Sequence, residues 1–173
     1  MTPPSLGAAS VIVASTRAAA GEYADRTGPL IVEWLERQGF VSIERVVVAD
    51  GDPVGGALRA ALARDPALII TTGGTGLTPT DTTPEQTLPL LDRQVPGLAD
   101  AVRAAGLPAV PTAVLSRGLA GVAGRTLIVN LPGSRGGVRD GLAVLESVIG
   151  HALQQICGDG EHGWGTDGHR GAR

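Results

Sequence analysis

The chain contains no lysine; all fourteen of its basic residues are arginine. A Walker loop, GxxxxGK[ST], needs a lysine to reach the outer phosphates, and Schiff-base catalysis needs a lysine amine, so both chemistries are excluded by composition. Cysteine is nearly absent as well. Cys157 stands alone, cannot close an internal disulfide, and has no histidine positioned to activate it, so it reads as a small packing residue rather than a nucleophile. Aromatic residues make up only 2% of the chain and net charge is −3. No run of arginines interleaved with aromatics is present, which argues against nucleic acid as a partner. Long apolar runs are missing too: VIVA, ALII and LIV are far shorter than the roughly 20 residues of a membrane span. The opening MTPPSLGAAS carries no positive charge ahead of its apolar stretch and does not read as a signal peptide. Together these absences point to the cytoplasm. His151, His162 and His169 form no metal-ligand spacing with an acid or thiol, and Ser15, Ser116 and Ser134 lack the GxSxG elbow.

What remains is an ordinary globular composition, 43% hydrophobic and 18% charged over 173 residues, enough for one domain with a sizeable core. Short apolar runs alternate with segments of helical period, the pattern of an α/β fold with a mostly parallel central sheet between helical layers. The expected strands are Ser10–Ser15, Phe40–Ala49, Ala67–Thr72, Thr112–Ser116 and Thr126–Leu131. A helix is expected from Pro29, which suits a first turn, to Gln38, with Gly39 ending it. Another follows Asp50 or Asp52, either of which can cap it. A third should start at Thr82 or Thr83 in a capping box with Glu85 or Gln86, and a fourth covers Leu98 to Ala105. The last is long, with Val138, Leu142, Leu145, Ile149, Leu153 and Ile156 recurring at spacings of three and four. Residues 1–9 are expected to be a flexible N-terminus, 10–157 the domain, and 158–173 a disordered glycine-rich tail.

In open α/β sheets, ligands bind beyond the carboxyl ends of the strands. Four segments fall there: STRAAAG, ADGDP, TTGGTGLTPTD and NLPGSRGG. In the third, Gly73, Gly74 and Gly76 can turn backbone N–H groups toward an anion, and Thr72 and Thr75 can add hydroxyl donors. A plain strand-to-helix turn would use the same glycines. Asp81 in that loop and Asp50 on the neighbouring strand end repel a phosphate unless a divalent cation lies between; magnesium, bound by one or two carboxylates plus phosphate oxygens, resolves the conflict. Helix capping is the alternative role for both. Ser134 can cap the last helix, whose N-terminus is a second anion site, and Asn130 either contacts a purine or pterin edge or closes its turn.

The run TTGGTGLTPTDTTPEQT, with STRAAAGEYADRTGP, VVADGDP and SRGLAGVAGRTLIVNLPGS, resembles the molybdopterin adenylyltransferase family, which includes the Mog and MoaB proteins and the gephyrin G domain; the length and opening motif are closest to the Mog branch. The resemblance spans Ser10 to Cys157. It implies a three-layer αβα MoaB/Mog-like fold and transfer of AMP from Mg-ATP to the terminal phosphate of molybdopterin, with release of pyrophosphate. It implies that Asp50 and Asp81 are catalytic, Asp81 chiefly toward magnesium and Asp50 toward substrate and metal positioning. Gly73, Gly74, Thr75 and Gly76 would hold nucleotide phosphates, with Ser15, Thr72 and Ser116 alongside. Asn130, Pro132, Gly133 and Ser134 would shape the pterin and nucleotide cleft. A homotrimer and hand-over to a molybdenum-insertion enzyme are implied as well. Two positions depart from the family pattern: Thr16, often acidic, and Arg135, often proline. The rival readings are a non-catalytic molybdopterin-binding or scaffold homologue, and a nucleotide-binding regulator.

Overall fold

A computed structural model describes residues 5–158. Six strands form one sheet: β1 (Ala8–Ala14), β2 (Ser42–Val48), β3 (Leu68–Thr72), β4 (Arg93–Gln94), β5 (Ala120–Ala123) and β6 (Thr126–Leu131). Their order is β2-β1-β3-β6-β5-β4, and the β2, β1, β3 and β6 pairings are parallel. Only β5 opposes its neighbours, pairing antiparallel with both β6 and β4. The helices are α1 (Thr16–Ala19), α2 (Gly28–Gln38), α3 (Asp52–Leu62), α4 (Thr83–Thr87), α5 (Pro96–Ala105) and α6 (Arg135–Cys157).

Alternation along the strands builds two cores. On one face Val11, Val13, Leu68, Ile70, Val129 and Leu131 pack with Ile31 and Leu35 of α2, Val102 of α5, and Leu142 and Leu145 of α6. On the other, Ile12, Ile69 and Ile128 pack with Val54 and Leu58 of α3. The central strands are therefore apolar at successive positions, because both faces are covered. Each such aliphatic side chain contributes about 1.5–3 kcal/mol by leaving water. The result is the expected three-layer arrangement. None of the described helices is long and apolar enough to cross a membrane.

Several local expectations change. Residues Thr112–Ser116 are not a strand; Pro111–Leu115 is a 3-10 turn with Val114 and Leu115 exposed at its surface. Proline at 108 and 111 removes ladder donors there, and the strand position is filled instead by Ala120–Ala123. The N-terminal boundary also moves. β1 begins at Ala8, Ala9 is buried, and the Leu6 N–H donates to the Gly39 carbonyl at 3.1 Å, so 5–9 belong to the packed fold. Residues 1–4 and the tail from 159 lie outside the described residues. The capping assignments change too. α3 is preceded by Gly51, and neither Asp50 nor Asp52 caps it through its side chain. α4 follows Thr82 without a side-chain cap, because Glu85 pairs with Arg117 and Gln86 donates to Asp52. Two features stand as expected: α2 ends at Gly39 with φ 96°, and Ser134 caps α6 by accepting from the Gly137 N–H at 3.1 Å.

Candidate active site

The parallel strands β2, β1, β3 and β6 end at one edge of the sheet, and the four segments expected there converge on it. Adjacent strand ends are tied across the edge. The Ser15 N–H donates to the Val48 carbonyl at 2.9 Å, and the Gly73 N–H to that of Leu131 at 3.1 Å. The loop then turns sharply at Gly73 and Gly74, with φ of 91° and 63°. A Cβ on Gly73 would lie 2.3 Å from the Ala14 carbonyl oxygen. One on Gly74 would lie 2.3 Å from Thr83 Oγ1 and 3.3 Å from Asp50 Oδ1. Glycine is required at both by conformation and by space.

The two aspartates are each held by one oxygen. Asp50 Oδ2 accepts from the Thr16 N–H at 3.0 Å and from Thr16 Oγ1 at 2.7 Å. Thr16, one of the departures from the family pattern, is thus the anchor of Asp50, and a carboxylate at that position could not donate the side-chain bond. Asp81 Oδ2 accepts from the Thr78 N–H at 3.2 Å. In each carboxylate the remaining oxygen has no donor among the described residues, and both aspartates line the same cleft. Among the described residues no three carboxylate, histidine or cysteine side chains converge on a point. The free oxygens of Asp50 and Asp81 could hold magnesium, which takes one or two carboxylates and completes its shell with other oxygens. Close by, the hydroxyls of Thr82 and Thr83 are buried without a hydrogen-bond partner.

Arg117 was not singled out from sequence, yet it fastens the whole loop. Its N–H donates to the Thr75 carbonyl at 2.8 Å, and its Nε to the Gly76 carbonyl at 2.8 Å. Its two terminal nitrogens bond the Asp81 carbonyl and the Glu85 carboxylate. The hydrogen bond from Arg117 holds the Glu85 carboxyl below the usual glutamate value. Arg103 is a second missed anchor, donating to the carbonyls of Ser116 at 3.2 Å and Gly118 at 2.9 Å. The only sequence signal for Arg117 was its place beside Ser116 in the SRGLAG motif.

Two clefts, of about 530 and 570 Å³, meet at Gly73, Gly74, Asp81 and Gly133. The first takes apolar walls from Val102, Val110, Ala113 and Leu115, with Thr75, Ser116, Pro132 and Ser134 also lining it. The second is polar and charged, lined by Ser15, Asp50 and Thr72 along with arginines of three segments. Ser15 Oγ accepts from the Ala18 N–H and pairs with the Tyr23 hydroxyl at 3.1 Å. Thr72 Oγ1 donates to the Pro132 carbonyl at 2.8 Å, tying β3 to the turn after β6.

Asn130 lines neither cleft. It is 3% exposed; its Nδ2 donates to Thr71 Oγ1 at 2.9 Å and Thr87 Oγ1 at 3.1 Å, and its Oδ1 accepts from the Leu119 N–H at 3.0 Å. Thr87 Oγ1 in turn donates to the Thr83 carbonyl at 2.8 Å. With both ends of its amide engaged by protein groups, Asn130 fastens β3, α4 and the residue before β5 and has no free edge for a purine or pterin.

Residues 10–151 match a family model described as a probable molybdopterin binding domain. The molybdenum cofactor biosynthesis bifunctional protein of Synechococcus elongatus is 40% identical over 156 residues, covering 90% of this chain and 49% of that protein. The chain thus spans about half the length of that relative. The molybdopterin adenylyltransferase of Haemophilus influenzae is 35% identical over 148 residues, covering 83% of this chain and 75% of its own. Among solved structures, the molybdopterin biosynthesis Mog protein from Mycobacterium ulcerans superposes with a TM-score of 0.84 at 64% identity, covering 87% of this chain and 97% of its own.

Proposed function

The chain belongs to the family of probable molybdopterin binding domains, and from that premise we propose that it acts in molybdenum cofactor biosynthesis as a molybdopterin adenylyltransferase. In this reading the terminal phosphate of molybdopterin forms a bond to the α-phosphorus of Mg-ATP while the bond from that phosphorus to the β-phosphate oxygen breaks. Adenylyl-molybdopterin and pyrophosphate are the products. The observation that carries it is the meeting of two clefts at a glycine loop and a carboxylate. An apolar cleft accommodates a flat ring system, a charged one accommodates phosphates, and the reacting groups come together at Gly73, Gly74, Asp81 and Gly133.

The attacking phosphate is already ionised at neutral pH, so the site needs positioning and charge neutralisation rather than a general base. Gly73 and Gly74 let phosphate oxygens approach bare backbone. Asp50 and Asp81 would hold magnesium through their free oxygens; when bound, that ion neutralises charge on the phosphates. Thr16 orients Asp50, and Arg117 fixes the loop that carries Asp81. Thr75, Ser116 and Ser134 offer hydroxyls to the ligand in the apolar cleft. A cytoplasmic homotrimer, with product passed to a molybdenum-insertion enzyme, belongs to the same reading; sedimentation of the full chain tests the assembly.

The decisive experiment mixes the purified chain with Mg-ATP and molybdopterin and measures pyrophosphate. Release should require both substrates, and Asp81→Asn should abolish it while thermal stability and molybdopterin binding persist. Pyrophosphate release independent of molybdopterin would mark a different nucleotide-hydrolysing function. Binding of both ligands without turnover would mark a non-catalytic homologue.

A further inference from the structure

The charged cleft is lined by arginines that the glycine loop does not supply. Arg17, Arg26 and Arg135 all line it, together with Asp25, Asp50, Asp81 and Tyr23. Most of these groups are already engaged. Arg17 bonds Glu22 at 3.2 Å and lies over the Tyr23 ring, 5.3 Å from its centroid. Asp25 pairs with Arg45 and accepts from the N–H groups of Thr27 at 3.0 Å and Gly28 at 2.9 Å. Asp50 is anchored by Thr16. Arg26 and Arg135 differ: among the described residues neither has a hydrogen-bond or ion-pair partner. They come from distant parts of the chain, Arg26 from the segment before α2 and Arg135 from the first position of α6, and the fold brings them to one cleft.

Two unpaired guanidinium groups in one concave site favour an anion carrying more than one charge, and their planar donor sets match phosphate oxygens. The position of the cleft says which anion. A displacement at phosphorus places the attacking and leaving oxygens roughly in line, on opposite sides of the reacting atom. The two clefts share Gly73, Gly74, Asp81 and Gly133 and otherwise have separate linings. With molybdopterin approaching from the apolar side, the group that departs must occupy the arginine side. We infer that Arg26 and Arg135 form the subsite for the leaving pyrophosphate, the β- and γ-phosphates of the nucleotide before transfer. This rests on the adenylyl-transfer reading for its chemistry. The arginine pair stabilises charge as it collects on the leaving group, and Arg135 does so from a position where the family resemblance led one to expect proline.

The test titrates inorganic pyrophosphate with magnesium into the full chain by calorimetry. Arg26→Ala and Arg135→Ala should each weaken binding about fivefold to tenfold, and the double variant about thirtyfold or more. Arg135→Lys should recover part of the loss, since it restores charge without the forked donors. Both side chains are solvent-exposed, so circular dichroism should be unchanged, and molybdopterin affinity should stay within twofold. Pyrophosphate affinity in the double variant within twofold of the parent overturns the inference, even if turnover confirms adenylyl transfer. So does an equal loss of molybdopterin and pyrophosphate affinity, which would mean a diffuse charge effect. Selective loss of pyrophosphate binding in a protein that never turns over supports the subsite and sinks the reaction instead.

Discussion

Replacing Arg117 with methionine keeps most of the side chain's aliphatic bulk and removes its donors. Three contacts disappear: Nε to the Gly76 carbonyl, and the terminal nitrogens to the Asp81 carbonyl and Glu85. Hydrogen bonds from a charged donor are worth about 1.5–3 kcal/mol each. Here the lower end applies, because 35% of the Arg117 side chain is exposed and water can take over the freed carbonyls. The Glu85 pair is 54% exposed on its acid side and contributes at most about 1 kcal/mol. A total of about 3–4 kcal/mol follows, or a drop in Tm of about 6–16 °C for a chain of this size. The effect on turnover should be larger than stability alone suggests. The loop bearing Asp81 loses its clamp at both ends, and a misplacement of about 1 Å at a reacting centre can reduce rate about a hundredfold. Molybdopterin-dependent pyrophosphate release, measured well below the new Tm, should fall by that factor, and amide exchange over residues 76–85 should quicken. Turnover within threefold of the parent would refute the claim that Arg117 positions the carboxylate.

Asn130→Ala should destabilise the fold by about 3 kcal/mol, since it strands the Leu119 N–H and the Thr71 hydroxyl and takes a donor from Thr87 Oγ1, which keeps its bond to the Thr83 carbonyl; chemical denaturation reads this directly. Gly73→Ala should be worse tolerated than a typical surface change, by about 3 kcal/mol or more, because positive φ is combined with a 2.3 Å approach to the immovable Ala14 carbonyl; a stable variant with unchanged Tm would contradict the geometry. Glu85→Gln tests the acid end. The folded-state pKa of Glu85 is depressed by Arg117, so its contribution is present above the ordinary glutamate value and is lost as pH falls through the lower folded value. The parent should therefore exceed the variant in Tm at pH 7, and the gap should close as pH drops below about 4.

The sequence was most informative where the deciding interactions are local. Pro29 and Gly39 marked the ends of α2, Ser134 marked the start of α6, and unbroken apolar runs marked the strands buried on both faces. The glycine loop and both aspartates were legible as a group because parallel strands must end at one edge, and chemistry-bearing residues follow each strand end. The role of each was not. Taken alone, Asp50 read as a helix cap until its partner proved to be Thr16, thirty-four positions away. Asn130 read as a ligand contact until the packing of β3, α4 and β5 enclosed it. The segment Thr112–Ser116 had the composition of a strand, but the place between β6 and β4 was taken by Ala120–Ala123, where Gly121 lies close against the Arg93 carbonyl.

By itself the amino-acid order settled the layers, the edge at which chemistry gathers, and the family. Folding alone decided which side chains at that edge remain free. A hydrogen bond to a group dozens of residues distant consumes a donor or acceptor without leaving any mark on local pattern. Only in three dimensions do Thr16, Arg117 and Asn130 become scaffolding, while Asp50, Asp81, Arg26 and Arg135 line the charged cleft with bonding capacity unused among the described residues.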